Sequence, residues 1–293
     1  FCPTDDRRRE CIRSGGALRG RKSRRAHGAR ENIIWESDGS TLMGKISVVG
    51  IGPGNPDDMT YRARRTIDEA TTVVGYKRYV ELIAELVDGK KVLDTGMTQE
   101  IDRCRAAIKE ATEGETVVVI SSGDAGIYGM AGLVLELLVK MDEAERPEFG
   151  GVIPGVSAMS AAAGLLGAPI MHDFVVISLS DLLTPWEIIQ ERAELAAKGD
   201  FVTALYNPRS NKRVGQINAV QETFLRHRAP ETPVGIVTGA SRANEEVRIS
   251  TLGAFTKEDI NMFSLVIIGN SKTRTVGDWM ITPRGYQKRE PGL

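Results

Sequence analysis

The sequence predicts an α/β protein of two lobes with a cleft between them. Three observations carry that prediction. From residue 45 onward, short β-branched runs alternate with longer amphipathic stretches, the pattern of mostly parallel strands covered by helices. A Gly/Ala/Ser-rich break from Pro154 to Pro169 divides the alternation into two series. Glycine-rich turns follow the strands, which is where α/β folds approach their ligands.

In the first series the runs Lys45–Val49, Thr71–Gly75, Lys91–Thr95, Thr116–Ser121 and Gly151–Ile153 read as strands. Thr60–Ala70, Arg78–Val87, Gln99–Thr112 and Ile127–Met141 read as helices between them. In the second, Phe174–Leu179, Phe201–Tyr206, Val234–Thr238, Val247–Thr251 and Leu265–Gly269 are the strands, with helices over Trp186–Ala197 and Asn211–His227. Thr184, just before Pro185 and Trp186, is the expected cap of the first of these helices. The lobes are therefore set at 43–158 and 159–286, with a tail at 287–293.

Residues 1–42 are rich in Arg, Gly and Ser and carry almost no apolar periodicity, so they have little to offset their ordering entropy. Met43 runs directly into the first strand. The head is read as a misplaced start, an expression remnant or an unstructured extension, with a nucleic-acid or targeting arm as the functional alternative. Its charge conceals that of the body: the whole chain is -1, but residues 43–293 carry 28 basic and 33 acidic side chains, a net -5. No global basic field points to nucleic acid. The three cysteines, Cys2, Cys11 and Cys104, make no disulfide or metal framework. No run of 18 apolar residues spans a membrane and the N-terminus lacks a signal peptide's apolar stretch, so a reducing, cytoplasmic setting is expected.

Three motifs stand out. Val49-Gly50-Ile51-Gly52-Pro53-Gly54-Asn55 lies where a strand ends. It fails both as a dinucleotide fingerprint, which needs glycine at position 55, and as a P-loop, which needs Gly-Lys-Ser/Thr. A ligand-facing turn and a purely structural turn remain open. Ser121-Ser122-Gly123-Asp124-Ala125-Gly126-Ile127-Tyr128-Gly129 follows another apolar strand, where Asp124 either caps the next helix or receives a ligand's ammonium or hydroxyls. Pro154-Gly155-Val156-Ser157-Ala158-Met159-Ser160 turns into an Ala-rich helix whose small side chains permit close packing or room for a cofactor.

In this order and spacing the three motifs resemble the tetrapyrrole methylase family. The segments His172-Asp173-Phe174, Ile177 to Trp186, Gly199-Asp200-Phe201 and Tyr206-Asn207-Pro208-Arg209-Ser210 are similar to the branch of precorrin-3B or cobalt-factor III carbon-17 methyltransferases of cobalamin synthesis. The resemblance runs from about Met43 to Tyr286. It implies the two-lobed fold of that family, each lobe a mixed sheet flanked by helices, with the active site in the interlobe cleft. It also implies S-adenosylmethionine as methyl donor, a carboxylated tetrapyrrole as substrate, neither nucleic acid nor membrane as partner, no metal of the chain's own, and a homodimer.

Carried over by motif, the cofactor site comprises Gly52, Pro53 and Gly54, then Gly123, Asp124, Ala125 and Ile127, then Ser157 and Ala158, with Tyr206, Asn207, Gly239 and Ala240 closing from the second lobe. Methyl transfer from a sulfonium is an in-line displacement that needs alignment more than a base. Contraction of the macrocycle, associated with this branch, would use a proton donor or acceptor. His172 with Asp173 is the candidate, a hydrogen-bonded structural histidine being the alternative. Substrate carboxylates call for cations, and bidentate arginine suits them best: Arg209, Arg213 and Arg242 are the expected partners, with Lys212, Lys77 and Arg78 behind them.

Overall fold

The computed structural model describes residues 43–96, 99–210, 212–286 and 289. The basic head, 1–42, lies outside the described residues, as does the tail apart from Arg289.

The first series builds one sheet. In chain order it comprises β1 (Lys45–Gly50), α1 (Tyr61–Asp68), β2 (Thr72–Tyr76), α2 (Lys77–Glu81), β3 (Lys91–Thr95), α3 (Glu100–Thr112), β4 (Thr116–Ser121), α4 (Ala131–Leu138) and β5 (Glu148–Ile153). The strands lie in the order β3-β2-β4-β1-β5, every neighbouring pair parallel. A parallel sheet buries both faces, and the β-branched runs supply both. Ile46, Val48, Val117 and Val119 pack with residues of α3 and α4. Val49, Val118, Ile120 and Ile153 pack on the opposite side with Ala63 and Ile67 of α1. Each such fully buried Val or Ile contributes roughly 1.5–3 kcal/mol. α1 starts where Thr60 Oγ1 accepts the Ala63 N–H (3.1 Å), satisfying an end donor that the helix itself leaves open.

The second series comprises α5 (Ala158–Leu166), β6 (Gly167–Ala168), β7 (Phe174–Ser178), α6 (Trp186–Lys198), β8 (Val202–Tyr206), α7 (Gln216–Leu225), β9 (Pro233–Thr238), β10 (Glu246–Thr251), β11 (Ser264–Ile268), β12 (Arg274–Val276) and β13 (Trp279–Ile281). Its main sheet runs β10-β9-β11-β8-β7. Only β7 and β8 are parallel neighbours; the other pairs are antiparallel. A parallel neighbour requires a crossover of a dozen residues or more, which α6 supplies between β7 and β8, whereas β9 and β10 are joined by the Gly239–Glu245 turn alone. One face packs on α6 and α7 through Ile189, Ala193 and Phe224, the other on α5 through Met159, Ala162 and Leu166. So the first lobe is wholly parallel and the second is mixed. The strands of the two sheets separate between Ile153 and Phe174, and α5 packs on the second.

Several expectations change. The helix expected over Arg78–Val87 is α2 followed by a separate 3-10 turn at Ala84–Leu86. α4 begins only at Ala131, because Tyr128 takes a left-handed backbone (φ 54°) that a continuing helix excludes. Thr184 does not cap α6: Pro185 occupies the cap position and no side chain bonds there. β6, β12 and β13 form a small third sheet, too short to register as periodicity. No helix of the described residues is long and apolar enough to cross a membrane.

Candidate functional site

The three motifs meet at the carboxyl ends of β4, β1 and β5. Gly52 and Gly123 exchange backbone hydrogen bonds: Gly123 N–H donates to the Gly52 carbonyl (2.7 Å) and Gly52 N–H to the Gly123 carbonyl (3.1 Å). Gly50, Gly123 and Gly155 touch backbone to backbone, so that a Cβ on Gly155 would stand 2.2 Å from the Gly123 oxygen. Asp124 ties this knot: Oδ2 accepts the Gly155 N–H (3.0 Å) and Oδ1 the Gly126 N–H (2.8 Å). It therefore does not cap α4, whose Met130 N–H is taken by Ser121 Oγ (3.0 Å).

The second lobe closes over these loops through three sets of contacts. Arg242, from the β9–β10 turn, donates to the Pro53 carbonyl (2.9 Å) and to Ser122 Oγ (3.0 Å), its stem packed against Gly54. Tyr128 reaches back to the Val176 carbonyl (3.3 Å) and lies 5.3 Å, centroid to centroid, from the Tyr206 ring. Ser157 Oγ caps α5 by accepting the Ser160 N–H, and Tyr206 OH accepts the Met159 N–H (3.0 Å). Burial pushes the Tyr206 and Tyr128 phenols up from their ordinary pKa, so both stay protonated at neutral pH.

Between the lobes lies a cleft of about 390 Å³, within the usual range for small-molecule sites of roughly 300–1,000 Å³. It shares Arg78, Gly239, Arg242 and Phe263 with a second hollow of about 490 Å³. Of the residues singled out from the sequence, Pro53, Arg78, Gly123, Asp124, Ile127, Ala158, Tyr206, Asn207, Gly239, Ala240 and Arg242 line the cleft. Gly52, Gly54, Ala125 and Ser157 do not; they shape the loops behind it, Ala125 being fully buried.

Arg213 and Arg209 are engaged elsewhere. Arg213 donates to the Leu179 (2.9 Å) and Asn207 (3.1 Å) carbonyls and stands 3.7 Å from Asp181. It thereby supports Asn207, which holds a left-handed backbone (φ 51°) and donates to Ser178 Oγ (3.0 Å). Arg209 reaches the Thr256 carbonyl (3.4 Å). His172 and Asp173 precede β7, whereas the cleft lies beyond that strand's other end, where Ser178 pairs with Tyr206. At about 3.3 Å per residue they are some 20 Å along the chain from it, and His172 Nδ1 accepts the neighbouring Asp173 N–H (2.8 Å).

The lining also includes residues that the motifs did not indicate: Tyr76, Tyr79, Arg103 and Phe263. Tyr76 and Tyr79 form an edge-to-face pair (5.2 Å, 89°), and the Arg78 guanidinium lies 5.6 Å over the Phe263 ring. Burial raises the Tyr79 phenol's pKa against the opposing pull of Arg242. The Tyr-Lys-Arg-Tyr run at 76–79 was a legible signal, since two basic residues stand between two tyrosines at the end of a strand.

A parallel-sheet lobe whose glycine turns face a mixed-sheet lobe across a pocket defines a two-lobed α/β protein with its small-molecule site at the interface. Residues 45–256 match the Tetrapyrrole (Corrin/Porphyrin) Methylases, and the chain belongs to that family. It is 50% identical over 251 residues to the cobalt-factor III methyltransferase of Priestia megaterium, covering 85% of this chain and 46% of that protein. It is also 50% identical over 243 residues to the probable cobalt-factor III C(17)-methyltransferase of Salmonella typhimurium, covering 82% of this chain and 99% of that protein. The chain thus spans about half the length of the first relative and nearly all of the second. The crystal structure of the methyltransferase CobJ superimposes with a TM-score of 0.77 at 39% identity, over 82% of this chain and 100% of that one.

Proposed function

We propose that this chain is the methyltransferase that carries a methyl group from S-adenosylmethionine to carbon 17 of cobalt-factor III, or of precorrin-3B, in corrin synthesis. The observation that carries the reading is the 50% identity to the Salmonella relative over nearly that protein's whole length, in a chain whose cleft keeps the family's glycine loops.

The residues present fit the methyl donor. Gly123, Gly239 and Ala240 keep their stretch of the cleft wall free of large side chains, and Val237 and Leu265, paired on β9 and β11, give it an apolar backing suited to a purine. Bound there, the cofactor supplies an electrophilic methyl group on a sulfonium. The protein's work is alignment. The knot of Gly50, Gly123 and Gly155 fixes the first-lobe loops, Arg242 holds the second lobe against them, and Arg213 and Ser178 fix Asn207. Positive charge disperses during the transfer, so no strong base is needed at the reacting carbon. Should the macrocycle also contract, Tyr79 is a protonated donor within the cleft, a place His172 does not have.

Incubating the protein with S-adenosylmethionine and each tetrapyrrole in turn tests the reading. The expected product gains one methyl group, with a changed absorbance spectrum if contraction accompanies it. Transfer to neither tetrapyrrole, or transfer to RNA, refutes it. Light scattering of the same preparation tests the expected homodimer.

A further inference from the structure

Two of the described arginines are buried, and their surroundings differ. Arg228 is 7% exposed; it donates to the carbonyls of Gly269, Phe201 and Ala196 and has Asp200 at 3.5 Å. That cation is paired, as buried charges are expected to be. Arg103 is 4% exposed and lines the interlobe cleft. Its Nε donates to Thr95 Oγ1 (2.8 Å), one terminal nitrogen to the Gly96 carbonyl (2.9 Å), and the other, among the described residues, meets only the Met130 sulfur (3.8 Å). No ion pair found among the described residues involves Arg103, although Glu100 lies one turn earlier on the same helix and also borders the cleft. Thr95 and Gly96 thus fix the guanidinium at the wall and supply no countercharge.

Its place on the sheet matters. The glycine loops gather at the ends of β4, β1 and β5, whereas Thr95 and Gly96 close β3 at the opposite edge of the order β3-β2-β4-β1-β5. Arg103 therefore stands toward the β3 edge of the cleft, alongside Tyr79, and one terminal nitrogen reaches Met130, the residue after the Gly123–Gly129 loop.

We propose that Arg103 binds a carboxylate in the cleft, on the tetrapyrrole side, and so positions the macrocycle. This rests on the methyltransferase reading for the identity of the substrate. A fixed guanidinium with a free edge matches a carboxylate's geometry.

The test compares full-length wild type with Arg103→Met and Arg103→Lys, titrating three ligands: cobalt-factor III by absorbance, and S-adenosylhomocysteine and 5′-methylthioadenosine by calorimetry. Arg103→Met is expected to weaken cobalt-factor III about 10- to 100-fold, the range for a charged hydrogen bond, and to raise KM more than it lowers kcat. Arg103→Lys is expected to recover part of the loss, and both nucleosides to bind within twofold of wild type. Selective loss of S-adenosylhomocysteine, with methylthioadenosine unchanged, would keep the carboxylate site but overturn its assignment to the tetrapyrrole. Unchanged binding of all three ligands, or equal loss of all three, would overturn the proposal altogether. If Arg103→Met does not fold, Arg103→Gln, which retains a donor toward Thr95 and Gly96, carries the same comparison. Wild type that binds S-adenosylhomocysteine but neither cobalt-factor III nor precorrin-3B refutes the methyltransferase reading instead, and the nucleoside pair then decides whether Arg103 holds a carboxylate at all.

Discussion

Replacing Gly155 by alanine strikes the point where the three motif loops meet. The added Cβ would lie 2.2 Å from the Gly123 oxygen and 2.6 Å from the Gly50 oxygen, where ordinary contacts are 3.4–4 Å. Both neighbours are backbone, and the double hydrogen bond between Gly52 and Gly123 holds one of them in place. Overpacking of this kind costs roughly 1–3 kcal/mol. Pushing Gly155 aside also stretches its N–H from Asp124 Oδ2, and a hydrogen bond to a charged acceptor contributes roughly 1.5–3 kcal/mol. Together the loss is about 2.5–6 kcal/mol, a large part of the roughly 5–15 kcal/mol that a domain commands. At about 2–4 °C per kcal/mol for a chain of this size, the melting temperature should fall by roughly 5–24 °C, and S-adenosylhomocysteine should bind more weakly to what remains folded. Thermal melting by circular dichroism and calorimetric titration measure the two effects. Gly132→Ala is the control: it lies in α4 with nothing within 4 Å of the new Cβ, so the same change should stabilise by about 0.5–1 kcal/mol. A Gly155→Ala protein that melts within about 2 °C of wild type and keeps its affinity would refute the account of the knot.

Other outcomes follow from the same geometry. Arg242→Met removes the hydrogen bonds to Pro53 and Ser122 that join the lobes; titrations should show weaker binding of both S-adenosylhomocysteine and tetrapyrrole, by about tenfold, and unchanged binding would show the latch to be idle. His172→Ala, remote from the cleft, should leave kcat within about twofold across the pH profile, and a loss of a hundredfold would return the histidine to the reaction. Burial pushes the Cys104 thiol up to about 11, so at pH 8 its peptide should resist iodoacetamide until the chain is unfolded, as read by mass spectrometry. The same shift makes the unfolded chain release that proton first, so its contribution to stability is full below about pH 9 and is lost as the pH rises through about 11.

The parts of the fold set by local chemistry were legible. β3 and β4 occupy the residues expected of them, Lys91–Thr95 and Thr116–Ser121, because their apolar runs are bounded by polar and glycine residues. The pairing of the second sheet was not legible as a mostly parallel arrangement. Its direction depends on whether a helix intervenes, and the Gly239–Glu245 turn carries too few residues for one. β6 and β13 pair across more than a hundred residues, a contact with no local trace. In the site, glycine turns advertise themselves, since only a bare backbone permits the contacts at Gly50 and Gly155. Arg103 does not. In the run Glu100–Thr112 it reads as one more charge on an amphipathic helix, and only the fold turns it toward the cleft.

That difference governs where negative charge on a substrate is met. From the sequence, Arg209 and Arg213 stood beside the Tyr206–Ser210 turn as natural carboxylate partners. Asn207 within that turn, however, adopts a conformation that costs a non-glycine residue of order 1–3 kcal/mol, and it persists because Arg213 and Ser178 fasten its carbonyl and its amide. A cation engaged in that way adds little charge to the cleft. Around the cleft itself stand Arg78, Arg103 and Arg242 against Glu100 and Asp124, and Asp124 already accepts two backbone N–H groups. The surplus is positive within a body of net -5. It is concentrated on the first-lobe wall and at the Arg242 latch, so an acidic macrocycle would be drawn to the side opposite the turn that the sequence favoured.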